Sequence, residues 1–236
     1  MADAAHALGV NDSRVRALLA AGQLDGAKVG GRWVVSSRAV RERRNSSRER
    51  GRPLIQANAW AVLALASGRP AKWVSRAEQR RLIHLLEGRG LDALVPRLRK
   101  RAKVLRFYGH PGILRELAEA PEVVRSGPSA ARRHRLGLVP GEEVDAYVSE
   151  KHVARLVKRI ALEPRDDGAN VRLRVVSRDL WPFDEKFAPF AAVAVDLAEL
   201  PDARAKRIGR SAVRRIERSG RWRDALEELA GAAPAA

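Results

Sequence analysis

The sequence predicts an α+β chain with three parts: a small helix–turn–helix–hairpin head, a helical middle segment and a mixed α/β C-terminal domain. Three observations carry that reading. Residues 8–35, "LGVNDSRVRALLAAGQLDGAKVGGRWVV", pass from a 3.6-residue apolar period to two β-prone segments around a Gly-Gly turn. Residues 53–95 keep a helical period throughout. The last third interleaves strand-length apolar runs with helical stretches. The expected divisions are residues 1–44 for the head, 45–52 for an Arg-rich linker, 53–104 for the helical segment and 105–230 for the α/β domain.

Each element has a local cause. "ADAAHAL" (2–8) fits one short helix with Ala5 and Leu8 inward, ended by Gly9. Asn11 or Asp12 can cap a second helix, because either side chain accepts from a free N–H one turn on. Val15, Leu18 and Leu19 form its apolar stripe, and Gly22 supplies a left-handed stop. "AKVGGRWVV" reads as a two-residue Gly-Gly hairpin. Ser36 or Ser37 then caps a third helix carrying Val40. "RERRNSSRERGR" (41–52) holds six Arg, two Glu and no large apolar side chain, the mark of a solvated basic arm.

Beyond Pro53, the residues Trp60, Leu63, Leu65, Trp73, Leu82, Leu85 and Leu86 are expected to bury one small core. Ser75 and Glu78 have capping-box spacing. The basic run 97–106 reads as a solvated helix face over buried Leu98 and Val104, with a DNA-backbone contact as the alternative. "YGHPGILRELAEA" is a turn and a helix stopping at Pro121. "DAYVS" (145–149) suits a strand and "KHVARLVKRIAL" (151–162) a helix. In "ANVRLRVV" (169–176), Val171, Leu173 and Val175 alternate with Arg172 and Arg174, which predicts a half-buried strand. "FAAVAVDLAEL" is a buried helix or strand, and "ARAKRIGRSAVRRIER" a helix after Pro201. Trp60, Trp73 and Trp181 are expected in the core, Trp222 near an exposed tail, and "GAAPAA" frayed. There is no internal repeat.

Composition narrows the function classes. The 236 residues carry Lys+Arg 46 against Asp+Glu 28, a formal charge of +18, which favours a polyanionic partner. No apolar run approaches the length of a membrane span, and no basic-then-apolar leader opens the sequence, so a cytoplasmic chain without a membrane partner is expected. Zero Cys excludes disulfides and thiol catalysis. No cofactor and no catalytic residue are expected, and the chain is read as a non-enzyme.

In a helix-turn-helix the second helix enters the major groove with its N-terminal residues nearest the bases. Here those outward positions are Asn11, Asp12, Ser13, Arg14, Arg16 and Ala17. Arg pairs bidentately with guanine and Asn with adenine. The hairpin would bring Lys28, Arg32 and Trp33 to phosphates or the minor groove, with Trp33 read chiefly as core. Arg43, Arg44, Arg48 and Arg50 would then add salt-dependent backbone contacts. One such head buries little surface on double-stranded DNA, so a homodimer or tandem sites are expected, with repeated half-sites in the operator.

The residues Asp3-Ala4-Ala5, Leu8-Gly9-Val10, Ser13, Val15, Leu18, Gly22, Leu24, Ala27, Gly30-Gly31-Arg32-Trp33 and Val35 resemble the excisionase/MerR-like winged helix-turn-helix family over about the first 44 positions. The chain departs in having Asp3 where Glu is common and no Thr or Ser cap on the first helix. Residues 105–218 resemble the C-terminal half of AbiEi-type antitoxins of type IV toxin–antitoxin systems, through Ala169-Asn170-Val171, Leu173, Val175, Asp196-Leu197, Pro201, Arg204 and Gly209. That resemblance implies a transcriptional autorepressor opposing a nucleotidyltransferase toxin without a tight complex. Such antitoxins usually begin with a different winged helix.

The alternatives are an excisionase-like recombination directionality factor and a metal-dependent nuclease with a DNA-targeting head. The nuclease would draw on Asp179, Asp184, Glu185, Lys186, Asp196 or Glu199. "DEK" (184–186) has suitable local spacing but sits beside Pro182 in a loop, and a solvated loop is the simpler reading. His6, His84, His110, His134 and His152 lack metal-ligand spacing, and no phosphate-cradling Gly-rich motif occurs.

Overall fold

The computed structural model describes residues 2–20, 24, 26–35, 37, 39–40, 52–139, 141–165, 167–183 and 185–225. The chain is a mixed α+β fold, and it divides into two compact units, Met1–Arg52 and Pro53–Ala236. Gly22, Ser36, most of the Arg-rich run and the tail lie outside the described residues.

The first unit opens with α1 (Ala2–Leu8) and α2 (Asp12–Ala20). Gly9, at φ +65°, ends α1 in a Schellman motif. Its N–H donates to the His6 carbonyl at 3.1 Å, and the Val10 N–H reaches back to Ala5 at 3.0 Å. That turn places Asn11 where α2 must start. A hairpin follows, β1 (Gly26–Val29) and β2 (Arg32–Val35), antiparallel with Lys28 opposite Trp33. Gly30 and Gly31 both take positive φ, as a type I′ turn requires. Val15, Leu18, Leu19, Leu24, Ala39 and Val40 bury one small core, and Trp33 and Val35 of the hairpin pack on it.

In the second unit the order is α3 (Gln56–Ala66), α4 (Arg76–Arg89), α5 (Leu91–Leu94), a 3-10 helix (Val95–Arg101), β3 (Lys103–Tyr108) and α6 (Pro111–Glu119). Then come β4 (Val123–Arg125), α7 (Gly127–Ala131), β5 (Val144–Ser149), α8 (Glu150–Arg159), β6 (Glu163–Pro164), β7 (Val171–Val176), α9 (Phe190–Ala198) and α10 (Ala203–Ser219). The five strands form one sheet, β4-β5-β7-β3-β6. β5 and β7 run parallel, joined by the α8 crossover, and the other pairs are antiparallel.

The sheet separates two cores. On one face Val144, Ala146, Val148, Val171, Leu173 and Val175 meet Leu114 and Leu117 of α6 and Leu156 and Ile160 of α8. On the other, Tyr147 and Val176 join α3, α4, α9 and α10 in the larger core. α3 and α9 are mostly apolar and buried over most of their length, which suits helices surrounded by protein. The boundary expected at 104/105 falls inside β3, and the helical segment shares its core with the α/β segment. α3 reaches the sheet through Trp60, whose ring stands 5.0 Å from that of Tyr147.

Several sequence expectations are corrected. The run 97–106 is a 3-10 helix followed by a strand, with Val104 exposed and Arg101 fully buried. β7 is covered on both faces, so Arg174 is buried rather than solvated. Trp73 and Trp181 are exposed, 37% and 38%, whereas Trp222 is buried. Trp73 still donates its indole N–H to the Ala57 carbonyl at 3.0 Å. Leu85 is half-buried at the rim of the core.

The helix pair α9–α10 depends on one residue. A Cβ on Gly209 would lie 2.2 Å from the Ala198 nitrogen and 2.7 Å from the Leu197 carbonyl carbon. These are backbone atoms and cannot rotate away. Gly209→Ala is therefore expected to force the helices apart and lower stability by about 2–3 kcal/mol or more, as overpacking does. Thermal melting of the variant against the parent checks this.

Candidate nucleic-acid interface

The Asn11 side-chain oxygen accepts the Arg14 N–H at 2.8 Å, so Asn11 is the cap of α2. A bidentate contact to adenine would break that cap. Asp12 is half-buried in the first turn, where its charge complements the helix dipole. Val15, Leu18 and Leu19 fill the inner face of α2, leaving Ser13, Arg14, Arg16 and Ala17 exposed on the outer one. Arg14 and Arg16 have no carboxylate partner among the described residues. The helix thus presents two guanidiniums and a hydroxyl from its N-terminal half.

The hairpin is held against α2 by a close approach. A Cβ on Gly26 would stand 2.6 Å from Leu19 Cδ2, so β1 begins in contact with the α2 stripe. Trp33 is half-buried on that core. Lys28 and Arg32 lie on β1 and β2, their backbones paired with Trp33 and Val29, and their side chains are outside the described ones. Arg43, Arg44, Arg48 and Arg50 lie outside the described residues.

Sequence reasoning missed the charge chemistry of the second unit. Arg101 donates to Asp196 at 2.5 Å and to Glu199 at 2.5 and 3.0 Å. Arg174 grips both oxygens of Asp145, at 2.7 and 2.9 Å, and lies 3.1 Å from Asp196. Arg172 donates to Asp145 at 3.0 Å. Tyr147 donates to Asp196 at 2.8 Å, and Ser126 donates to its other oxygen. Three guanidiniums therefore face three carboxylates, and parallel pairing makes it possible by setting Asp145 beside Arg172 and Tyr147 beside Arg174. Burial pushes the Asp145 carboxyl up, but Arg174 and Arg172 outweigh it and hold it below its usual range. Burial, with Asp196 beside it, pushes the Tyr147 phenol up, so it stays a donor. Asp145 and Asp196 each interrupt an apolar run, and that interruption was the available signal.

Among the described residues, the nuclease candidates form no metal-holding group. Asp196 is consumed by the buried network, and Asp184 lies outside the described residues. Asp179 and Glu185 are exposed, Glu185 lying 3.8 Å from Arg69. Lys186 donates to the Ala120 carbonyl, and Glu199 binds Arg101. Among the described residues no group of three His, Asp or Glu side chains could hold a metal ion. His110 caps α6 by accepting the Gly112 N–H at 3.2 Å. Among the same residues, no helix is long and apolar enough to cross a membrane.

No protein-family model, curated protein or solved structure matches the chain.

Proposed function

We propose that the chain is a sequence-specific DNA-binding autorepressor, and that it serves as the antitoxin of a type IV toxin–antitoxin pair whose toxin is a nucleotidyltransferase. The observation that carries the DNA-binding part is α2: capped by Asn11, buried along one side, and bearing on the other Arg14 and Arg16, which have no acidic partner among the described residues. A net charge of +18 and the basic arm at 41–52 support it. In this reading α2 reads base edges, the hairpin is the wing, and the arm grips phosphates of an operator with repeated half-sites, bound by a homodimer.

The antitoxin part rests on the motif residues of the second unit, three of which have a demanding place in the fold. Asn170 clamps Gly109, accepting its N–H and donating to its carbonyl, both at 2.8 Å. Asp196 centres the buried network, and Gly209 permits the α9–α10 approach. A reporter driven by the chain's own upstream DNA tests the regulatory role, and growth of cells co-expressing a type IV nucleotidyltransferase toxin tests the antitoxin role. Repression and restored growth are expected. Restored growth without repression would overturn autoregulation; repression without restored growth would overturn the antitoxin assignment.

A further inference from the structure

The second unit contains a cavity of about 630 Å³ whose rim is cationic and whose walls are aromatic. Arg69, Arg133, Arg215 and Arg221 contribute to it, from the α3 end, the segment after α7, and the α10 end. Glu185 is the one carboxylate among the described lining residues, and it lies 3.8 Å from Arg69. Arg133, Arg215 and Arg221 have no acidic partner among the described residues. Like charges so concentrated repel one another and raise affinity for an anion. A smaller groove of about 210 Å³, lined by Arg135 and Arg218, shares Arg215 and continues the cationic strip.

The walls add a second requirement. Phe187 and Phe190 are half-buried there, beside His134. The Arg215 guanidinium lies 4.6 Å from the Phe190 ring centroid, which fixes its plane. His134 sits 5.6 Å from the same ring and bonds the Ala188 carbonyl at 2.9 Å through Nε2. Burial holds its pKa down despite that bond, so it offers a flat neutral ring rather than another charge. A volume of this size suits a small molecule. Guanidiniums at the rim match phosphate oxygens, and planar groups on the walls match a stacked base.

We propose that this cavity binds a nucleotide, phosphates on Arg133 and Arg215 and base against the Phe190–His134 wall. The ligand is a free nucleotide or the phosphorylated end of a single strand, and the site is separate from the DNA-reading head. It stands whether or not the head reads DNA.

Calorimetric titration of the full chain with ATP, inorganic pyrophosphate, adenosine and a 5′-phosphorylated oligonucleotide tests it. ATP is expected to bind about tenfold or more tighter than pyrophosphate or adenosine, since it alone fills both halves. Arg133→Glu/Arg215→Glu should abolish binding, with Arg133→Gln/Arg215→Gln as the milder pair should the first fail to fold. Arg155→Glu/Lys158→Glu on α8, equal in charge change, should leave binding intact. Phe190→Leu should weaken ATP but not pyrophosphate. If the oligonucleotide binds tighter than ATP and ATP displaces it, the source is a strand end; if ATP binds and the oligonucleotide does not, it is a free nucleotide. No binding at millimolar ATP overturns the proposal. So does equal affinity for ATP and pyrophosphate, or equal loss from the two charge-reversed pairs.

Discussion

Asp196→Ala is expected to cost about 3–5 kcal/mol, because it strands Arg101 and Arg174 in the core with one partner removed from each. The Asp196 side chain is fully buried and both guanidiniums nearly so, which leaves water no way to substitute. Tyr147 and Ser126 lose their acceptor at the same time. Against the ordinary stability of a domain, on the order of 5–15 kcal/mol, this is enough to bring the second unit near unfolding. The thermal midpoint should fall by about 10 °C or more. Arg101→Met should be similarly damaging, as it leaves Asp196 and Glu199 facing each other. The double variant Arg101→Met/Asp196→Ala should lose less than the two singles added, since it removes one charge of each sign and leaves Arg174 and Arg172 with Asp145 and Glu199. A full sum of the singles would contradict a coupled network.

The same network sets an acid limit. The folded Asp145 carboxyl lies below its unfolded value, so its contribution is complete above the ordinary carboxylate range and disappears as pH falls through the folded value. Melting temperature should decline as pH drops below about 4. A melting temperature independent of pH there would remove Asp145 from the account.

The second large effect is on recognition. Arg14→Ala is expected to weaken operator binding by about 1–3 kcal/mol and to change sequence preference at one position, as loss of a bidentate base contact does. Arg48→Ala should weaken binding on every sequence alike and reduce the salt slope by about one. Selection from a randomised DNA pool, repeated at several salt concentrations, separates the two. If both variants behave alike, Arg14 does not read bases.

How much of this was legible depends on whether a residue's role is local. The Gly9 stop of α1, a cap for α2 at Asn11 or Asp12, the Gly30-Gly31 hairpin and the Ser75 cap of α4 follow from neighbours a few positions away, and the sequence shows them; the structure selects Asn11. The apolar stripe of α2 and the alternation of β7 were readable for the same reason. What alternation cannot say is what lies opposite the polar face. Arg174 looks solvent-facing until α9 brings Asp196 over it, and Asp145 looks out of place until β7 arrives in parallel register. Arg101 belongs to a basic run that reads as a wet surface, yet it anchors the core because α9 supplies Asp196 and Glu199 just past it supplies a second carboxylate. The Trp residues mislead in the same way. Trp222 is buried by helices distant in sequence, whereas Trp73 needs only one carbonyl and stays at the surface. Strands as short as β4 and β6 carry too few residues to show a period at all.

The proposed DNA-reading role of the first unit is tested by an electrophoretic mobility shift of the full chain on its own upstream DNA over excess unrelated competitor. The Arg14→Ala/Arg16→Ala variant runs beside it, matched for melting temperature. A discrete shift is expected for the parent and a loss on the order of 100-fold for the variant. Equal binding of both proteins to any DNA, vanishing together at moderate salt, would contradict it and leave the charge as a sequence-independent grip.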